Sequence, residues 1–421
     1  MVLRGGTVVD ATGSRRADVA VRGPWVAAVG ENLDGAPVLD ATGCVVAPGL
    51  VDLHTHLREP GREEAETVET GSRAAALGGY TAVVAMPNTE PPIDSAAVAR
   101  QVLDLGATAP CDVRVAGAIT VGRLGTQLAP MAEMAALGVR LFTDDGDGVQ
   151  DARLMRRALE YASALGITLA QHCEDAALST GGHMHEGEWS SRLGIPGIPA
   201  EAEELMVMRD IALCRLTGAP LHLLHLSTAR SVALVAEAKG AGLPVTCEVT
   251  PHHLTLTDAD VASYDTAFKV NPPLRTAADV EALRAAVAAG TVDAVATDHA
   301  PHSQEVKEAP FDEAPPGMVG LETSLALVLS ELRLPVDKVL ALLSWQPARI
   351  AGLAGQHGGP VAEGMPANLC VVDPAAAWVV EPELLASRSR NTPFAGRKLT
   401  GRVRHTLLRG EPVVVDGEAL T

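Results

Sequence analysis

Eight short apolar runs, most of them followed by a stretch with helical periodicity, constrain the fold of this chain more than any other feature of its sequence. The runs cover residues 45–53, 80–86, 113–119, 139–142, 167–170, 221–226, 245–249 and 292–296. Helical periodicity is clearest at 152–165, 203–216 and 278–288. Because eight strands alternating with helices are typical of a parallel (β/α)₈ barrel, we predict a barrel for the middle of the chain.

The two ends of the chain have a different pattern from the middle. Residues 2–48 alternate short β-rich runs with turn signals such as Gly23-Pro24, and the same pattern returns after about residue 360. We therefore predict an α/β protein in which residues 49–359 form a TIM barrel. Residues 1–48 and 360–421 are expected to combine into one small β-sandwich beside it.

The composition allows a large folded core and limits the possible partners. Hydrophobic residues make up 47% of the chain and charged residues 20%, which excludes global disorder. The formal net charge of −19 argues against a general binder of nucleic acids or anionic membranes. The six cysteines include no CxxC pair and indicate reduced thiols. The start of the chain has no signal-peptide pattern and no run reaches about 18 apolar residues, so we expect a cytoplasmic protein.

Ligand-type side chains follow five of the eight runs, where barrel enzymes carry their catalytic residues. They are His54 and His56 after the first run, Asp145 after the fourth, His172 after the fifth, His225 after the sixth and Asp298 after the eighth. His54 and His56 are two apart on a strand, so their side chains share one face. Imidazole and carboxylate ligands suit Zn²⁺, although Mn²⁺ or Co²⁺ also fits such a set. Four histidines and two carboxylates are too many for one tetrahedral zinc ion, so the pattern predicts two bridged ions.

A second His-X-His pair, His183 and His185, has the same spacing but lies in a glycine-rich loop without an apolar strand before it. We expect this second pair to be exposed and structural. The metal prediction therefore depends on five strand ends taken together, because one pair of histidines is a weak signal.

Several motifs in this order and spacing resemble the cyclic-amidohydrolase branch of the amidohydrolase superfamily, and more narrowly the type I dihydroorotases. The motifs are GLVDLHTHLREPG at 49–61, AMPNTEPP at 85–92, FTDDG at 142–146, QHCED at 171–175, HLLHLS at 222–227, VTPHH at 249–253, KVNPPLR at 269–275 and TDHAPH at 297–302. The resemblance extends from residue 1 to about residue 415, and it implies the same barrel fold.

For the metals, the resemblance implies two zinc ions with divided ligands. One ion would be held by His54, His56 and Asp298, and the other by His172 and His225. Many relatives bridge the ions with a carbamylated lysine at the end of the fourth strand, but no lysine precedes Lys239 in this chain. Type I dihydroorotases have an aspartate there, which implies Asp145 as the bridge, with Asp144 as the alternative.

For the substrate, the resemblance implies a carboxylate clamp and a ring-binding face. The implied substrate-binding residues are His56, Arg58, Asn88, Asn271, His302 and Gly317. Arg58 would hold the carboxylate, since a guanidinium fork matches a carboxylate well, and Asn88 and His302 would assist it. A surface ion pair for Arg58 and a turn position for Asn88 are the structural alternatives.

The reaction implied by the resemblance is the reversible closure of N-carbamoyl-L-aspartate to (S)-dihydroorotate in pyrimidine biosynthesis. A hydroxide between the two metals would attack the ring carbonyl, and Asp298 would act as general base and then as general acid. Residues 303–316 are polar and proline-rich and are expected to form a mobile loop that closes on the substrate. The family usually has Pro-Phe-Gly where this chain has Pro315-Pro316-Gly317, so a contact there would come from the Gly317 backbone.

Two other functions remain open. A hydantoinase or allantoinase would share the fold and metals, but a hydantoin lacks the carboxylate that Arg58 would bind. The other alternative is a non-catalytic partner of aspartate transcarbamoylase. Against it, inactive relatives lose metal ligands, whereas this chain has all six. We also expect a homo-oligomer, with a complex with aspartate transcarbamoylase as a further possibility.

Overall fold

The computed structural model describes residues 1–420, which contain 21 strands in three groups along the chain. The first group is β1 Val2–Arg4, β2 Thr7–Asp10, β3 Gly13–Arg16, β4 Asp18–Arg22, β5 Trp25–Gly30, β6 Val38–Asp40 and β7 Val45–Pro48. The second is β8 Leu50–Thr55, β9 Tyr80–Ala85, β10 Asp112–Val115, β11 Leu141–Phe142, β12 Thr168–Gln171, β13 Met184–His185, β14 Gly197–Ile198, β15 Leu221–Leu223, β16 Val245–Val249 and β17 Ala294–Val295. The third is β18 Leu369–Val379, β19 Lys398–Leu408, β20 Glu411–Val415 and β21 Glu418–Ala419.

Thirteen α-helices connect and flank these strands within the described part of the chain. They are α1 Val68–Leu77, α2 Ala96–Leu105, α3 Met131–Ala136, α4 Ala152–Leu165, α5 Ala176–Ser179, α6 Glu188–Leu193, α7 Glu201–Thr217, α8 Ala229–Gly240, α9 Ala277–Ala289, α10 Gln304–Lys307, α11 Ser324–Leu332, α12 Val336–Leu340 and α13 Gln346–Ile350. Helix α4 has clear boundary signals, because the Asp151 side chain accepts from Leu154 N at its start and Gly166 adopts φ 64° at its end. No helix between residues 1 and 420 combines the length and apolarity needed to cross a membrane.

Eight parallel strands form the barrel, as the sequence predicts. Strands β8, β9 and β10 form one part, and β11, β12, β15, β16 and β17 form the other. Parallel bridges from Gly117 to Phe142 and from Thr55 to His299 join the two parts and close the cylinder. The carboxyl ends of all eight strands therefore open at one mouth, where catalytic residues of such barrels lie.

Both chain ends contribute to a β-sandwich. One sheet has the order β21-β20-β19-β18-β7-β2-β3, and the other has the order β5-β4-β1-β6. Leu3 and Val19 from the second sheet share a buried cluster with Val46 and Val371 from the first. The predicted composite sandwich is confirmed, whereas the boundaries at residues 48–49 and 359–360 stay predictions.

The first predicted run, 45–53, is two strands separated by Gly49. Strand β7 belongs to the sandwich and β8 to the barrel. A Cβ atom on Gly49 would lie 2.2 Å from the Thr81 side chain, so only glycine fits where the chain passes from one layer to the other. The sequence pattern alone could not separate two consecutive strands that are both buried.

The prediction that the second His-X-His pair is exposed was wrong. His185 is buried on the short strand β13, and His183 is half-buried. The guanidinium of Arg275 donates to His185 Nδ1 at 3.1 Å, and Lys269 Nζ lies 3.4 Å from His183 Nδ1. Burial arises because β13 pairs with β14 in the loop after β12, a local sheet that the glycine-rich sequence does not predict.

Candidate metal centre and active site

Six ligand-type side chains from five strand ends meet at the mouth of the barrel. Ligand atoms of His54, His56 and Asp298 all lie within 4.8 Å of one another, and so do those of His54, Asp145 and His225. His172 adjoins the second group, with its Nδ1 2.9 Å from His225 Nε2. All six side chains are buried. The structure therefore brings together every metal ligand that the sequence predicts.

Asp145 lies at the centre of this cluster. One carboxylate oxygen, Oδ1, is 3.3 Å from His54 Nε2, 3.5 Å from His225 Nε2 and 3.6 Å from His172 Nδ1. The other oxygen is 3.5 Å from His56 Nε2. Asp145 is thus close to the ligands of both groups, as a bridging carboxylate must be.

Asp144 has a different environment although it is the next residue. Its carboxylate accepts hydrogen bonds from Ile119 N at 2.8 Å and Thr120 N at 3.0 Å, and from the Thr120 hydroxyl. These contacts connect the end of β11 to the loop after β10. Asp144 therefore supports the loop beside the site, and its side chain belongs to neither ligand group.

The residues at the mouth fit divalent ions such as zinc. Among the described residues, His54 Nε2 and Asp145 Oδ1 are buried atoms without a hydrogen-bond partner, although they lie 3.3 Å apart. Polar atoms in such positions are costly unless a ligand binds them. Since the donors are imidazole nitrogens and carboxylate oxygens, the cluster matches the ligand preference of Zn²⁺.

Two hydrogen bonds orient the histidines of the first ligand group. His54 Nδ1 lies 3.0 Å from Glu248 Oε1, and His56 Nδ1 lies 2.8 Å from Asn88 Oδ1. When Nδ1–H donates to these oxygens, the Nε2 lone pair of each ring faces the cluster, which is the state needed for metal binding.

Glu248 is a functional candidate that the sequence analysis missed. Its second carboxylate oxygen is 3.0 Å from His222 Nε2, so Glu248 lies between two buried histidines. The available signal was a carboxylate in the middle of an apolar run, Val245–Val249. A charged residue in a buried strand requires partners, and here the partners include the metal-ligand candidate His54.

Charges within the cluster determine which groups are ionised. Burial acts to raise the pKa of Asp145, but the surrounding imidazoles of His54, His172 and His225 outweigh it and hold that pKa well below its usual range. Burial likewise opposes ionisation of Asp298, and the nearby His54 and His56 imidazoles hold its pKa low. Both aspartates are therefore carboxylates at neutral pH, the form that binds metal and accepts protons.

The predicted carboxylate clamp lies beside the cluster. Arg58 is buried, and its Nε donates to Pro301 O at 3.1 Å. Its Nη2 lies 3.3 Å from His302 Nε2. Burial lowers the pKa of Arg58 to about 10, so the guanidinium stays charged at neutral pH. Burial and the adjacent Arg58 charge lower the pKa of His302 to about 2, and His302 is therefore neutral.

Three of these site residues have a left-handed backbone conformation. The φ values are 61° for Arg58, 30° for His225 and 46° for Asp298. Residues other than glycine rarely adopt positive φ, and such strain is concentrated at functional sites. The fold therefore holds the backbone of these three residues in a costly conformation at the mouth of the barrel.

Gly317 and residues 303–316 adjoin the clamp. A Cβ atom on Gly317 would lie 2.9 Å from His302 Nε2, so glycine allows the close approach of this segment. Gly317 N donates to Lys269 O, and Gly317 O accepts from Lys307 Nζ and from Asn391 Nδ2. These bonds engage both backbone groups of Gly317 within the protein, and its substrate contact stays a prediction. The segment contains helix α10, and its closure over a substrate also stays a prediction.

Comparison with known proteins gives consistent results over the whole chain. A family model described as dihydro-orotase-like matches residues 43–231. A dihydroorotase from Streptomyces coelicolor is 52% identical over 426 residues, which covers 99% of each chain. A dihydroorotase from Mycobacterium tuberculosis is 50% identical over 418 residues, or 96% of each chain.

Solved structures share the fold at lower sequence identity. An L-hydantoinase (dihydropyrimidinase) from Arthrobacter aurescens superposes with a TM-score of 0.90 at 25% identity, covering 100% of this chain and 97% of that one. A dihydropyrimidinase from Brevibacillus agri gives a TM-score of 0.86 at 26% identity, covering 100% and 96%. This chain therefore shares its fold with a hydantoinase and a dihydropyrimidinase over its whole length.

Proposed function

This chain belongs to the dihydroorotase family, and we propose on that basis how its residues carry out the reversible cyclisation of N-carbamoyl-L-aspartate to (S)-dihydroorotate in pyrimidine biosynthesis. The observation that carries the proposal is the combination of a buried six-ligand cluster with a buried guanidinium beside it. The cluster suits hydrolysis of a cyclic amide, and Arg58 suits a substrate that has a carboxylate.

We propose two zinc ions per chain, without a carbamylated lysine. His54, His56 and Asp298 would hold one ion, His172 and His225 the other, and Asp145 would bridge them. Ions bound in this way lower the pKa of water towards about 7 and polarise a carbonyl. The contacts of Asp145 with histidines of both groups support its role as the bridge.

Asp298 is the proposed catalytic acid and base. In the hydrolytic direction its carboxylate accepts a proton from the attacking water and transfers that proton to the departing ring nitrogen. The carbon–nitrogen bond of the ring breaks as the bond from water oxygen to the carbonyl carbon forms. Ring closure reverses these transfers and releases water. The position of Asp298 in the cluster, with Oδ1 3.2 Å from His56 Nε2, supports this role.

The substrate is proposed to lie between the cluster and Arg58. The guanidinium would bind the substrate carboxylate, with His302 and Asn88 beside it and His56 at the boundary with the metal ligands. Asn88 would also have a second role, because its hydrogen bond to His56 orients a proposed metal ligand. Asn271 would face the ring, and Gly317 would contact the substrate through its backbone.

A hydantoinase-type activity is the second candidate, because the structural neighbours are hydantoinases and dihydropyrimidinases. The roughly 50% identity to dihydroorotases, against 25–26% to these enzymes, favours the first candidate. The buried Arg58 also favours it, since a hydantoin has no carboxylate to bind.

The test is turnover of N-carbamoyl-L-aspartate by the purified protein, with hydantoin and allantoin assayed in parallel. We expect turnover of the carbamoyl aspartate alone, its loss in a chelator and its recovery when zinc is added. Turnover of hydantoin in preference would favour the second candidate. If zinc-loaded protein has no activity on any of the three, the non-catalytic role beside aspartate transcarbamoylase would become the better explanation.

The expected cytoplasmic location, the homo-oligomer and an association with aspartate transcarbamoylase are further parts of the proposal. Size-exclusion chromatography of the protein alone and after mixing with the transcarbamoylase tests the last two.

A further inference from the structure

The seventh barrel strand, β16, leads into a segment whose histidines have no role in the proposed reaction. The segment continues from Val249 through Thr250 and Pro251 to His252 and His253. Strand β16 pairs with β15 on one side and with β17 on the other, and these neighbours lead to His225 and Asp298. The segment therefore emerges at the mouth of the barrel between two metal-ligand candidates.

His253 fixes this segment to the loop that carries Asn271. Its Nδ1 lies 2.8 Å from the Thr250 hydroxyl, and its Nε2 donates to Pro272 O at 2.9 Å. Pro272 directly follows Asn271 in the chain. With both ring nitrogens of His253 engaged, its role is to hold the two segments together.

His252 differs from His253, because its Nε2 is buried without a partner in residues 1–420, and the whole residue is only 2% exposed. Asn271 Oδ1 is a second buried atom without a partner among the same residues. Burial, together with the adjacent His253, lowers the pKa of His252 well below its usual value, and nearby Asp298 opposes this shift only in part. His252 is therefore a neutral imidazole close to the reacting groups.

We propose that His252 contacts the substrate, and that it recognises the ureido edge together with Asn271. This edge, in which N–H groups flank a carbonyl, is common to dihydroorotate and N-carbamoyl-L-aspartate. His252 Nε2–H donates to the ureido carbonyl, and Asn271 Oδ1 accepts from an adjacent N–H. The two partnerless atoms thereby gain partners when substrate binds, as buried polar groups require. The inference rests on the proposed function and adds a residue to its binding site.

The test compares ligands with and without the ureido group. His252→Met removes hydrogen bonding at similar volume, and His252→Gln keeps an N–H donor near the same position. His357→Gln is the control, because His357 is another buried histidine, bonded to Thr81 and Asp112 at the opposite end of the barrel strands. The measurements are KM and kcat for dihydroorotate, the inhibition constant of succinate (which has the carboxylates but no ureido group), and the zinc content.

We expect His252→Met to raise KM for dihydroorotate about tenfold, since one hydrogen bond to the substrate is lost. Inhibition by succinate and the zinc content should stay at wild-type levels, and His252→Gln should recover most of the affinity. Equal weakening of succinate and dihydroorotate, a fall in zinc content, or an unchanged KM would each overturn the inference. Turnover by the wild type tests the proposed function separately from these comparisons.

A measurement on the wild-type protein covers the case in which a variant does not fold. With ¹⁵N-labelled histidine, the Nε2 resonance of His252 should shift when dihydroorotate binds and should not shift with succinate. A resonance that responds to neither ligand, or to both alike, would refute the contact.

Discussion

Asp144 and Asp145 are adjacent and chemically identical, but we expect their replacement to have different effects. Loss of Asp145 should reduce zinc binding, whereas loss of Asp144 should reduce the free energy of unfolding. Asp145→Ala removes a carboxylate that lies within 3.6 Å of His54, His56, His172 and His225. Loss of an outer partner of a metal ligand alone costs about 10–100-fold in affinity, so loss of a bridging ligand should exceed about 100-fold for the second ion. We expect Asp145→Ala to retain at most one zinc per chain.

Asp144→Ala should instead lower stability. The change leaves two buried backbone donors, Ile119 N and Thr120 N, without their acceptor. Each buried donor without a partner costs about 1–3 kcal/mol, so the free energy of unfolding should fall by about 2–6 kcal/mol. Among residues 1–420 no backbone N–H donates to Asp145, so its removal should cost clearly less than the loss of Asp144.

The assay measures metal content by mass spectrometry after zinc loading, and stability by urea unfolding in excess chelator. The chelator is needed because bound zinc would itself stabilise the folded state and hide the difference. Normal zinc content in Asp145→Ala with loss of zinc in Asp144→Ala would refute the assignment of the bridge. Equal destabilisation by both changes would refute the structural role of Asp144.

Three further predictions concern the groups around the cluster. Arg58→Ala should lower kcat/KM for dihydroorotate more than about tenfold, because a buried charged hydrogen bond is worth more than about 1.4 kcal/mol; a smaller effect in steady-state kinetics would rule out the clamp. Glu248→Gln should weaken zinc binding about 10–100-fold in a chelator competition, since it alters the acceptor for His54, and activity should return in excess zinc; unchanged affinity would contradict this role. Burial lowers the pKa of Lys307 to about 7, so between that pH and the ordinary lysine value of 10.5 the unfolded chain binds more protons than the folded one. Wild type should therefore gain stability relative to Lys307→Met as the pH rises from about 7 to about 10, and a constant difference between their urea midpoints would contradict the shift.

The general architecture and the convergence of the six candidate ligands could be predicted because both depend on local patterns. Each barrel strand is a short apolar run, and the ligands directly follow the runs, so their convergence follows from barrel geometry alone. The prediction that His54 and His56 lie on one face used only the two-residue repeat of a β-strand. These inferences use no contact between residues that are distant in sequence.

The remaining features depend on distant contacts and could not be predicted. The strand pattern left two adjacent aspartates, from which only the family resemblance selected Asp145, and the distant backbone donors Ile119 N and Thr120 N show why Asp144 turns away from the cluster. Glu248 contacts His54, although the two residues are 194 positions apart in the sequence. His185 is buried because Arg275 and a local pair of strands cover it, and neither is evident from its glycine-rich surroundings.

The sheet shared by both chain ends has a consequence for the timing of folding during synthesis. Strand β7 pairs with β18, in which Leu369 lies opposite Pro48, so about 320 residues separate the partners. At about 5–20 residues per second, a ribosome needs roughly 15–65 s to make the second strand after the first. During that interval the edge of β7 that later pairs with β18 stays unpaired, and such edges promote aggregation. We expect nascent chains halted before β18 to need chaperone protection that chains halted after β19 do not.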